Sequence, residues 1–168
     1  MTKFLLAVHV LAAILAVGPV TVAASMFPPA VRKARAHPED EQAAAVVRAL
    51  HRTCRVYAVV GVVVPVFGLG VALQMDVVGD AWLIVSMALT AIAAAVLGLA
   101  VLPRQSALLA DIGTADGGAR GATAVAPDPL SPFHRATVRL GMLTGVFNLL
   151  WATVTVLMIV RPGSSTGA

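Results

Sequence analysis

The sequence predicts an all-α, polytopic membrane protein, with four transmembrane helices in an up-and-down bundle. Three observations carry that reading. Of 168 residues, 59% are hydrophobic and 12% charged, which lies outside the composition of soluble domains. Four uncharged apolar runs, at about 4–26, 56–73, 82–102 and 140–160, each approach the ~20 residues needed to cross the hydrocarbon. Lys and Arg are unevenly placed: the segments 28–55 and 103–139 hold ten, and only Lys3 and Arg161 lie elsewhere. Cationic segments stay cytoplasmic, so both termini are expected outside, with residues 1–168 forming one multi-pass domain. The net charge of +4 and pI near 10.2 follow from this placement beside the spans. They do not call for nucleic acid as a partner. A single cysteine, Cys54, excludes an intrachain disulfide, and no Cys/His spacing matches a zinc site.

Phe4 to Met26 carries no charge and opens the bundle. A cleaved signal peptide is the rival reading, but the run exceeds a signal core of ~7 to 15 residues and a basic segment follows it. Pro28 and Pro29 are expected to stop this helix. After His37 and Pro38, the acids Glu39, Asp40 and Glu41 suit the positive end of a new helix. With no breaker before Pro65, that helix should run through Arg48, Arg52 and Arg55 into the membrane, about four turns of it projecting at 3.6 residues per turn. Those arginines form a stripe suited to anionic lipid headgroups, as do Arg135 and Arg139. Gln74 to Ala81 has no Lys or Arg and reads as a short outside turn. Trp82 marks the outer edge of the third span. Pro103 and Arg104 are expected to end that span, followed by a short amphipathic helix over 105–112 that Gly113 closes. Thr114 to Pro129 reads as a loop, and Ser131 with Pro132 as the start of the fourth helix.

Two helices carry rows of small residues at helical spacing. The second has His51, Cys54, Ala58, Gly61, Pro65, Gly68 and Ala72. The fourth has His134, Val138, Gly141, Gly145, Asn148, Ala152 and Thr155. In lipid, helices associate by close backbone approach, so both rows are expected to face other helices. Pro65 should release the Gly61 carbonyl, and Asn148 is placed to reach a carbonyl freed near Pro65 or Pro19.

The histidines are the candidate ligands. His51 and His134 lie at similar depth on diagonal helices and could hold haem b or a metal across the bundle mouth, with Cys54 as a third donor. The competing reading leaves both at the headgroups, bonded to phosphate or water. His9 lies roughly 8 Å inside the outer boundary at 1.5 Å per residue. Its layer holds Gly68, Ser86, Met87 and Thr155, giving either a hydroxyl partner or a His/Met haem. No Asp, Glu, Lys or Arg falls within a span, and no Walker loop, nucleophile elbow or HExxH is present. An enzyme is not expected.

The run Phe4-Leu5-Leu6-Ala7-Val8-His9-Val10-Leu11-Ala12-Ala13, closing at Gly18, resembles the first helix of small bacterial integral-membrane families. One is a predicted four-helix family of unknown function; another is the copper-resistance D type. The resemblance implies a bacterial inner-membrane protein and hints that His9 touches a metal or haem. Three functions are carried forward: a non-enzymatic accessory subunit that docks other membrane subunits, a haem or metal-binding bundle, and a dimeric small transporter lined by His9, Ser86 and Thr155.

Overall fold

The structure is a computed structural model that describes residues 2–118 and 131–163. Helix α1 spans Thr2–Ala36 without a break at Pro19, Pro28 or Pro29, which corrects the expected stop. Pro28 and Pro29 do remove the donors for the Ala24 and Ser25 carbonyls, at about 3 kcal/mol per interior proline. Tertiary burial offsets that cost. Phe27, Val31 and Ala34 pack against Ala43, Ala44 and Val47 of the next helix, and each fully buried large side chain contributes about 1.5–3 kcal/mol.

A turn at His37–Asp40 leads into α2, Glu41–Met75, whose first turn is capped by Asp40 Oδ1 accepting the Ala43 N–H at 3.0 Å. As expected, α2 continues unbroken through Pro65. It does not project alone, however. The last turns of α1 lie antiparallel to it, so that the two make a hairpin beyond the apolar spans.

Asp76, in the left-handed region at φ 54°, ends α2, and a tight turn reaches Asp80 before α3 (Ala81–Ala95). The chain then passes through a π-helical turn, Val96–Val101, into α4, Leu102–Gly118. The helix therefore stops at neither Pro103 nor Gly113, and the expected separate short helix over 105–112 is its continuation, a second correction. In the π-turn the bonding partner moves back one residue, as where the Leu102 N–H reaches the Leu97 carbonyl. The widened turn lets the chain enter Pro103 without the full i−4 clash of an α-turn. Arg104 also donates to the Ala100 carbonyl at 2.9 Å. Of the expected loop, residues 114–118 are helical and the remainder lies outside the described residues. Helix α5 spans Pro132–Val160, with Ser131 Oγ accepting the His134 N–H at 3.1 Å.

Helix α1 packs most extensively on α2, α3 packs on α5, and α5 returns to α1, while α2 and α5 stand diagonal. Each end of the packed helices has a cation–π clasp: the Arg35 guanidinium lies 4.1 Å from the Phe133 ring centre, and that of Arg161 lies 5.5 Å from Trp82. The Trp82 indole N–H donates to Asp80 at 2.9 Å. Four helices are long and apolar enough to cross a membrane, and large apolar side chains such as Val59, Leu99 and Ile159 cover their outer faces. On a lipid-facing surface this exposure carries no hydrophobic penalty.

The two small-residue rows behave differently. The α2 row faces inward, with His51, Cys54 and Ala72 buried. On α5 the buried row is Thr137, Leu140, Thr144, Phe147 and Val154, and Gly141, Gly145, Ala152 and Thr155 face out. A Cβ added at Gly61, Gly141 or Gly145 would meet nothing within 4 Å. The expected close backbone approach at these three glycines is therefore not made among the described residues. Both α5 rows have the helical period, and the bulky row fills interhelical space with dispersion contacts that glycine cannot supply.

Candidate functional site

Most buried hydroxyls in this core bond to their own helix, as Ser86 does to the Trp82 carbonyl and Thr137 to that of Phe133, both at 2.8 Å. A fully buried side chain that joins two helices is Gln105. The widened turn before Pro103 carries it into the row Val101, Gln105, Leu108 and Ile112, all buried. Its side chain is fully enclosed, at 0% exposure, and it spans two α2 residues one turn apart. Gln105 Oε1 lies 3.2 Å from His51 Nδ1, and its Nε2 donates to Cys54 Sγ at 3.6 Å.

The donors and acceptors of this cluster can be followed atom by atom. A carbonyl oxygen only accepts, so the Gln105 amide in this orientation requires a proton on His51 Nδ1. For a neutral imidazole, Nε2 is then an acceptor, and it faces Ser106 Oγ at 3.4 Å. Ser106 also lies 3.1 Å from the Leu102 carbonyl, so two acceptors compete for one hydroxyl proton. The Phe27 ring approaches the imidazole edge-on, 6.5 Å between centroids. The result is a polar cluster between α2 and α4, with Ser106 its one exposed member. Such a cluster fixes the register of α4 on α2, because sliding either helix strands polar atoms in an apolar core.

His51 has neighbours at both ring nitrogens, Gln105 and Ser106 of α4, with the Phe27 ring of α1 edge-on to it. His134 is half-buried on α5, beside a surface hollow with Arg135, Val138, Arg139 and Met142. Among the described residues no hydrogen bond joins His51 to His134. Among the described residues no group of three or more His, Cys, Asp or Glu side chains is arranged to hold a metal ion. Cys54 is buried and bonded to the Gln105 amide.

His9 is buried and lies against Gly68, as the matched depths predict: a Cβ at Gly68 would sit 2.7 Å from His9 Cε1. Here the glycine is required to admit the imidazole. The expected hydroxyl partners are not used, since Thr155 bonds to the Trp151 carbonyl at 2.9 Å and Ser86 to Trp82. Met87 is exposed and does not form a His/Met pair. His9 Nδ1 is left with no hydrogen-bond partner. Asn148 donates to Ser25 Oγ on α1 at 3.2 Å, and not to a carbonyl near Pro65 or Pro19. The arginines Arg48, Arg52 and Arg55, with Arg135 and Arg139, are all exposed.

Gln105 and Ser106 were missed as site residues because an expected stop at Pro103 placed them on a separate surface helix. One signal was present: Gln105 is a polar residue within the apolar row of Val101, Leu108 and Ile112.

No curated protein and no solved structure matches this chain. A family described as "Predicted integral membrane protein (DUF2269)" matches residues 3–162. With four helices long and apolar enough to span a membrane, the chain belongs to the DUF2269 family of predicted integral membrane proteins.

Proposed function

We propose that the protein is a non-enzymatic accessory subunit of a bacterial inner membrane that docks another membrane helix on the outward row of α5. The observation that carries this reading is the open space over Gly141 and Gly145, where an added Cβ would meet nothing within 4 Å. In lipid, small residues at this spacing let a second backbone approach closely. The bundle fills its own interior with the opposite row, so its packing does not need this face.

The orientation follows the cationic segments. The basic end of α1, the arginines Arg48, Arg52 and Arg55 of α2, Arg104 at the start of α4 and Arg135 and Arg139 of α5 face the cytoplasm, in contact with anionic headgroups, and both termini lie outside. The polar cluster around His51 then sits at the cytoplasmic end as a register device for α2 and α4. The test is site-specific photocrosslinking in native membranes, with the photoreactive residue at Gly145 and a control at Leu99. A discrete protein adduct from position 145, absent from 99 and abolished by Gly141→Leu, is the expected result. Equal labelling by lipid alone at both positions overturns the reading.

A further inference from the structure

The inner end of α5 carries a second feature, separate from the glycine row. Between His134, Arg135, Val138, Arg139 and Met142 lies a shallow hollow of about 330 Å³. Its rim carries two arginines and a histidine, its floor is apolar, and among the described residues no acidic side chain lines it. Arg135 and Arg139 stand one helical turn apart. Among the described residues neither guanidinium makes an ion pair or side-chain hydrogen bond. The hollow between α1 and α2 differs, because there Lys33 shares the lining with Asp40.

Depth also matters. Arg139 is the last charged residue before the uncharged run Leu140–Val160, whose length at 1.5 Å per residue comes to about 31 Å, one hydrocarbon thickness. The two guanidinium groups therefore lie at the level of lipid phosphates. Away from them Met142, Val146 and Leu149 are exposed apolar side chains further along α5, where acyl chains would run.

We propose that this hollow is a binding site for one anionic phospholipid, its phosphate held by Arg135 and Arg139 with His134 beside them and its acyl chains laid along Val138, Met142 and Val146. Forked guanidinium donors suit phosphate oxygens. The exposed arginines of α2 serve as the internal comparison. The site does not depend on a partner docking at Gly141 and Gly145.

The test is native mass spectrometry of the protein in mild detergent, incubated with equimolar phosphatidylglycerol and phosphatidylcholine. Wild-type protein is expected to retain one phosphatidylglycerol in preference to phosphatidylcholine. At about fivefold per arginine near an anionic surface, Arg135→Gln with Arg139→Gln should weaken that preference about thirtyfold. Arg52→Gln with Arg55→Gln should leave it intact. Met142→Asp, which keeps both arginines, should also abolish retention by placing a carboxylate in the acyl path. Equal retention of the two lipids, or a preference unchanged in the Arg135/Arg139 variant, overturns the proposal. So does displacement of the lipid by millimolar inorganic phosphate, which would make this a site for the free anion.

Discussion

Replacing Gln105 by Leu tests the polar cluster most directly. The side chains are close in size, so the change leaves little cavity, and the two bonds to His51 and Cys54 are what is lost. The sulfur contact at 3.6 Å is the weaker of the two. The larger effect is a buried His51 Nδ1–H facing a methyl group, and an unsatisfied buried donor costs about 1–3 kcal/mol. A side-chain hydrogen bond between membrane helices averages about 0.6 kcal/mol, because separated helices find other partners in the membrane. An enclosed donor has no such recourse, so a loss of about 1–2 kcal/mol is expected for Gln105→Leu in equilibrium unfolding in mixed micelles. Replacing His51 by Leu as well removes both partners and should recover most of that loss. Cys54 supplies an independent readout as the chain's one thiol, fully buried: its labelling should accelerate in Gln105→Leu and slow again in the double variant. Unfolding and labelling both indistinguishable from wild type in Gln105→Leu would refute the register argument.

Gly68→Ala should destabilise the protein by about 1–3 kcal/mol through overpacking, since the new methyl meets His9 at 2.7 Å. Combining it with His9→Ala should restore stability in the same unfolding assay. Gly141→Ala and Gly145→Ala, with open space around both, should leave the isolated chain as stable as wild type or slightly more so, because alanine is about 1 kcal/mol better than glycine in a helix. Asp40→Ala removes the cap at the start of α2 and should cost about 0.5–2 kcal/mol. Hydrogen exchange should locate that loss in the first turn of α2.

The four apolar helices long enough to cross a membrane, the turn before Trp82, the acid-led start of α2 and the Ser131 cap were legible because each depends on local chemistry. The contact between His9 and Gly68 was also legible, since matching depths along two straight helices requires only the rise per residue. The prolines misled the sequence reading. Pro28–Pro29 and Pro103 look like stops when judged locally, but burial of Phe27 and Val31 carries α1 onward and a π-turn carries the third helix through. The face of α5 was ambiguous for another reason. Its glycine row and its Leu140–Phe147–Val154 row share one period, and only the shape of the neighbouring helices selects between them. Gln105 was lost as a consequence of the Pro103 error.

The π-turn also sets how the third helix must be counted. Its buried residues advance Ala93, Leu97, Val101, Gln105, three successive steps of four. On an uninterrupted α-helix each such step would turn the face by about 40°, and Gln105 would point well away from α2. The wider turn absorbs that drift, so the outer and inner halves of the helix share one axis but follow separate angular phases. A helical wheel drawn through Trp82 to Ile112 as one element spreads the buried residues over about 140°. Drawn as two wheels joined at the π-turn, each half resolves to a single stripe.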